Sequence, residues 1–238
     1  MSFTTWTPRA VGSEVRHWQG RTWRMVEAQH VASTMKLVDD VAEQELLEDL
    51  LESSKPPVPP TTTILHYLVQ APFRYPPPPG GSRFRGPHDP GVFYGAESVR
   101  TSCAELGYWR WRFLQDADDL DQLPPVPHTA FCVDVEGGLV DLRCEPFVRD
   151  SAAWMNPNDY LATQAFARVA REAAVDVIRY QSVRDPSPAW CAAVLNPEAL
   201  AAAPEPVMQS WWLVVRDATV IWTRGQGESY AFPSASLV

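Results

Sequence analysis

The chain has 238 residues, 45% of them hydrophobic, and a formal net charge of −9, enough for one good core or a compact domain with an extension. An acidic balance argues against a nonspecific grip on nucleic acid, which wants a basic face, while leaving room for a local basic pocket. No apolar run approaches the roughly 20 residues needed to cross a membrane, and Met1-Ser2-Phe3-Thr4 begins no signal peptide, so a cytoplasmic protein is expected.

The cysteines Cys103, Cys132, Cys144 and Cys191 are scattered, with no CxxC pair, which predicts buried reduced thiols and no metal site. The prolines cluster at 56–60, 76–79 and 124–127, where they are expected to separate regular elements. Residues 1 to about 30 hold Trp6, Trp18 and Trp23 without clear periodicity and read as an apolar flap over the core. Residues 38–51 predict an amphipathic helix, with Val38, Val41, Leu47, Leu50 and Leu51 on one side and Ser33 or Thr34 as its cap. The first division is therefore a helical N-terminal extension with a proline-rich connector over 1–60, and the second a main domain over 61–238.

Within the main domain, 64–69 and 91–94 read as strands, and 98–114 as a helix capped by Ser98 with Glu105 in its second turn. Residues 131–135 and 139–142 flank Gly137-Gly138 and predict a hairpin. A helix over 159–173, capped by Asn158, precedes strands at 175–180 and 191–195 and an antiparallel pair at 210–215 and 219–223. Short strands interleaved with few helices predict an α+β fold rather than a doubly wound one.

Polar groups concentrate between Arg74 and Glu105. Arg74 follows a strand and precedes a proline run, so it is expected to project from a strand end into a rigid loop, where a guanidinium can grip a pyrophosphate bidentately. Arg83 and Arg85 share a glycine-bounded loop whose amides can also face an anion. Tyr94 precedes Gly95-Ala96, where a ring can stack on a planar base. Glu105 stands in the small, apolar segment 102–107, and a carboxylate there suits a developing sugar cation. Ser182 ends a strand and suits the same pocket. Taken singly, each position also fits a surface arginine, a core tyrosine, a solvated helix acid or a turn serine. No histidine or nucleophile elbow supports a hydrolase triad, and neither glycine pair matches a Walker or dinucleotide fingerprint.

Segment 65–105, followed by Arg179-Tyr180-Gln181-Ser182-Val183-Arg184, resembles the RES-domain toxins of bacterial toxin–antitoxin modules. On that resemblance the family's arginine falls on Arg74, its glutamate on Glu105, its serine on Ser182 and its strand-end tyrosine on Tyr94. A second arginine falls best on Arg83. The family's Trp-Asn is replaced by Phe84-Arg85 and the preceding loop is short, which leaves the choice between Arg83 and Arg85 open.

The resemblance implies a fold similar to ADP-ribosyltransferases and NAD as the substrate, broken at the nicotinamide–ribose bond. Water, phosphate or a protein would be the acceptor. The implied roles are catalytic for Glu105, Arg74 and Tyr94 and substrate-binding for Arg83, Arg85 and Ser182. The implied partner is an Xre-type helix-turn-helix antitoxin that blocks the pocket. The alternative is a noncatalytic module that binds a nucleotide or a partner.

Overall fold

The computed structural model describes residues 5–28, 38–118, 120–202, 206–216 and 218–237. After a short helix α1 (Pro8–Gly12), strand β1 (Arg16–Glu27) carries Trp18, Thr22, Trp23 and Val26, aromatic and β-branched residues that suit a pleated surface. β1 is the main departure from the expected helical extension over 1–60. It pairs antiparallel with β3 (Gln122–Asp141) from Arg16↔Leu139 to Glu27↔His128, so the early tryptophans belong to the sheet itself. Trp18 and Trp23 are five positions apart and so point to opposite faces of the strand, which leaves no single-face alternation to read. The Trp18 indole lies over Gly20, where a Cβ would come within 2.4 Å of that ring.

Helix α2 (Val41–Ser54) starts at Asp40, whose Oδ1 accepts a hydrogen bond from the Glu43 N–H at 2.9 Å. The expected caps Ser33 and Thr34 lie outside the described residues. α2 buries none of its residues. Residues 64–69, expected as a strand, instead lead into helix α3 (Tyr67–Arg74), capped by the His66 ring, whose Nδ1 accepts from the Leu68 N–H. A short run, apolar but for His66, carries no period that separates a strand from a short helix, which explains the error. Pro72 near its end and the proline run behind it keep α3 short.

Strand β2 (Phe93–Ala96) leads into helix α4 (Val99–Gln115), started as expected by the Ser98 hydroxyl, which accepts from the Thr101 N–H. β3 then runs unbroken through Gly137-Gly138, where a hairpin was expected. A Cβ on Gly137 would lie 2.7 Å from Asp176, and the Gly138 N–H donates to the same carboxylate at 2.8 Å. These glycines serve close approach rather than a turn. The 124–127 prolines also fall inside β3, at a register shift between Leu123 and Val126 where ladder bonds are already interrupted.

Past a short helix α5 (Ser151–Trp154), helix α6 (Leu161–Glu172) begins two residues later than Asn158 suggested. The Leu161 N–H is taken by Asp159 Oδ1. Strands β4 (Val177–Gln181), β5 (Trp190–Val194), β6 (Met208–Arg216), β7 (Thr219–Arg224) and β8 (Glu228–Pro233) complete the described elements.

The strand order is β1-β2-β5-β4-β3-β6-β7-β8, with β1 also pairing β3, and β3–β4 parallel among otherwise antiparallel neighbours. The fold is α+β with a mixed sheet. Five strands thus close on themselves, and β6–β8 extend the sheet from β3. α6 and α1 cover one face of β4–β5 through Phe166, Ala170 and Val11. α4 packs on β6–β8, where Gly107 lets the helix sit against Val220. The ring closes weakly at one place: β1 and β2 are joined only at Trp23↔Ala96.

Candidate functional site

A cavity of about 330 Å³ opens where β1 parts from β2 and α4 lies across the gap. β1 contributes Trp23, Arg24 and Met25, β2 contributes Tyr94, Gly95 and Ala96, and α4 contributes Ser102, Glu105, Leu106 and Trp109. The loop before β2 adds Pro78, Gly81, Ser82 and Arg83, while Tyr160, Tyr180, Arg184 and Cys191 complete the wall. Gly95 makes the crossing possible, because a Cβ there would strike Thr22 at 2.5 Å.

Glu105 is half-buried and held from behind. The Ser182 hydroxyl accepts from the Arg184 and Asp185 N–H groups at 3.2 and 3.0 Å, which occupies its lone pairs. Its proton is left for Glu105 Oε1, to which it donates at 2.6 Å. The Cys191 thiol is the second donor to that oxygen, at 3.7 Å. Burial, reinforced by the neighbouring carboxylate, holds Cys191 well above the usual thiol range and keeps it neutral. Among the described residues Glu105 Oε2 makes no hydrogen bond, so one carboxylate oxygen is anchored and the other is free at the cavity.

Tyr94 is tied by its hydroxyl, which exchanges a hydrogen bond with Ser82 at 2.8 Å and accepts from the Phe84 N–H at 2.9 Å. Burial pushes its phenol pKa up. The loop that supplies Ser82 and Arg83 turns on Gly81 at φ +82°, where a Cβ would overlap the Arg85 carbonyl at 2.1 Å. Arg83 reaches the cavity with Nη1 shared between the Trp154 and Asn156 carbonyls, both at 2.9 Å, and with its guanidinium over the Tyr160 ring. Arg85 faces away, into a neighbouring cavity, with Nε on the Asp89 carbonyl and Nη1 on those of Tyr75 and Pro72. Of the two loop arginines, only Arg83 lines the Glu105 cavity.

Arg74 is not brought there. It closes α3, pairs with Glu52 at 2.8 Å and donates to the Pro56 carbonyl at 2.6 Å, which ties α2 and its connector to α3. The guanidinium that sequence reasoning missed is Arg24. Its Nη1 donates to the Tyr94 carbonyl at 2.9 Å, its charge lies over the Phe93 ring, and its buried Nε has no partner among the described residues. Burial pushes its pKa down to about 10, so it stays charged at neutral pH. One signal for it was legible: an arginine interrupts the aromatic and apolar run 22–26 at a position the strand half-buries.

A family model described as the RES domain matches residues 59–216. The chain belongs to the RES-domain family. The matched span carries Glu105 and Ser182, while β1 and Arg24 lie ahead of it. Among solved structures the chain is similar to one in the crystal structure of the M. tuberculosis MbcT–MbcA toxin–antitoxin complex. The identity is 12%, 96% of this chain and 92% of that chain are covered, and the TM-score is 0.49. No curated protein matches. Among the described residues of this RES-domain protein no cluster of histidine, cysteine or acidic side chains is arranged for a metal ion, and no helix is long and apolar enough to cross a membrane.

Proposed function

We propose that this protein is the toxin of a toxin–antitoxin module and that it consumes NAD by cleaving the nicotinamide–ribose bond. The observation that carries the reading is the Glu105 carboxylate, anchored by Ser182 through one oxygen and free through the other, in a cavity that also holds Arg24 and Arg83. Three guanidiniums, those of Arg24, Arg83 and Arg184, around one cavity in a chain of net charge −9 suit a ligand that is anionic in one part. A lone carboxylate beside them suits a ligand that becomes cationic in another.

NAD has both parts. When its glycosidic C–N bond breaks, the electron pair neutralises the pyridinium nitrogen, so nicotinamide leaves without needing a proton. The positive charge left on the ribose is what Glu105 would stabilise. Arg24 and Arg83 would hold the pyrophosphate and Ser182 would keep Glu105 oriented. Tyr94, with its hydroxyl spent on Ser82 and Phe84, would offer its ring to the nicotinamide side. Water, phosphate or a protein side chain then forms the new bond at the anomeric carbon and gives up a proton where it has one. The fold similar to ADP-ribosyltransferases that the family implies agrees with this use.

As the partner we infer an Xre-type helix-turn-helix antitoxin covering the cavity. Trp109 and Phe113, one turn apart on α4 and both more than half exposed, supply an apolar rim for it. We expect the toxin to act in the cytoplasm. The test is nicotinamide release from NAD by the purified protein, with and without phosphate and lysate. Release that needs none of these additions identifies water as the acceptor, and no release under any condition sinks the proposal.

A further inference from the structure

Along β6–β8 one side of the sheet is packed against α4, and the other is open among the described residues. Trp211, Leu213, Trp222 and Phe232 turn toward α4, and the residues between them turn the other way. The register sets the outward residues in rows. Pro127, Trp212, Thr223 and Ser229 stand side by side across β3, β6, β7 and β8, and Val214, Ile221 and Ala231 form the next row. Trp212, near the middle, is 48% exposed. Among the described residues the one charge turned to this side of β6–β8 is Arg216, at the end of β6. An antiparallel face that meets water ordinarily carries charge. The outward side of β1 and β3 follows that rule, with Arg21 paired to Asp134 at 2.8 Å and His17 to Glu136 at 3.6 Å.

We propose that this face is where two copies of the chain associate, sheet against sheet. The argument for a second copy is electrostatic. Each chain carries a net charge of −9, so two copies repel over most of their surface and meet most easily where neither brings a charge. A two-fold axis sets the face against itself, so no charge is buried without a partner. A nucleic acid or a strongly charged protein would find nothing here to pair with. The face lies across the sheet from α4, so association leaves the Glu105 cavity and the Trp109–Phe113 rim open. The proposal is therefore independent of the NAD-cleaving reading. Strands about 4.8 Å apart with residues about 3.3 Å apart make a face roughly 20 Å on a side. That is below the ~800 Å² per partner of a standard interface, so the dimer is expected to be weak, with a Kd on the order of 10 μM.

The experiment is sedimentation velocity of the full chain, from well below to well above that concentration, at low and at high salt. The mean mass is expected to rise from one chain toward two. Added salt should strengthen the association, because it screens the repulsion between two acidic chains. Trp212→Glu and Ala231→Lys place a charge on the face at outward positions, and each is expected to weaken the dimer at least about tenfold. Gln19→Glu, on the charged outward side of β1, should leave it unchanged. Thermal melting checks folding, and either variant that keeps its melting temperature decides. A monomer at every concentration overturns the proposal and leaves the face to another occupant. A dimer that both folded variants leave intact overturns it too, as does one that added salt dissociates, since ion pairs would then hold it.

Discussion

Glu105 owes its position to Ser182, and the two should be separable by mutation. Glu105→Gln keeps the shape and loses the charge. Its nicotinamide release is expected to fall at least about a hundredfold, with an unchanged melting temperature, because the lost group acts on charge that develops in the transition state. Ser182→Ala leaves the carboxylate in place without its donor, and release is expected to fall roughly tenfold. That variant also strips the Arg184 and Asp185 N–H groups of their acceptor, so it should unfold at lower denaturant, at a cost of about 1–3 kcal/mol. Equal activity of Glu105→Gln and the unaltered protein would favour a noncatalytic module. Arg24 predicts the opposite trade. Its Nε is buried without a partner, so Arg24→Met is expected to raise stability by about 1 kcal/mol while weakening NAD binding on the order of a hundredfold. A loss of stability and binding together would make Arg24 structural.

At the scale of elements, the readings that held were those with their own local chemistry. α4 begins where Ser98 caps it, and it presents Glu105 in the second turn. The readings that failed lacked it. The strand expected over 64–69, where α3 begins, came from a largely apolar run with no period, and the predicted hairpin came from a glycine pair whose purpose, room for Asp176, is set by a residue 38 positions away from Gly138. The ring contact between His128 of β3 and Trp222 of β7 carries its own prediction. His128 is buried with Nδ1 against the Val126 carbonyl, Nε2 unpartnered among the described residues, and its ring edge-on to Trp222 at 5.0 Å. Burial holds its pKa below the ordinary 6.5; the hydrogen bond to the Val126 carbonyl opposes it, Arg110 adds to it, and Glu27 opposes it least. The folded chain therefore resists a proton that the unfolded chain accepts. Stability should be intact above about pH 6.5 and fall as the pH drops below it. Melting temperatures between pH 7 and pH 5 check this, and His128→Leu is expected to flatten part of that slope.

For the whole molecule, the closed arrangement of β1 with β3 and β2 makes residues ahead of the RES-domain match part of the same structure. A chain begun at residue 59 would lose β1, all of its pairing with β3, and Arg24. Such a fragment is expected to be unfolded by circular dichroism, and a cooperatively folded fragment would restore the picture of a separable extension. Deleting 41–54 should be far milder, because α2 buries no residue and is held by the Arg74–Glu52 pair and its connector. Glu52 stands in solvent, which screens its attraction to Arg74.

The sequence by itself determined the α+β class and the helix that carries Glu105. Both are written in local signals: a cap, a periodicity, a carboxylate out of place among small residues. Ser182 reads locally as either a pocket or a turn residue and is singled out only by the family resemblance. The structure alone decided which arginines meet them. Arg74, Arg83 and Arg85 look alike along the chain, and their separation follows from where backbone carbonyls and Glu52 hold each guanidinium. Arg24 showed only as an arginine within an aromatic and apolar run, and its place at the site was out of reach for the same reason. It comes from a strand 81 positions before Glu105, and only the closure of β1 against β2 and β3, driven by burial of faces that no single segment can cover, brings the two into one cavity.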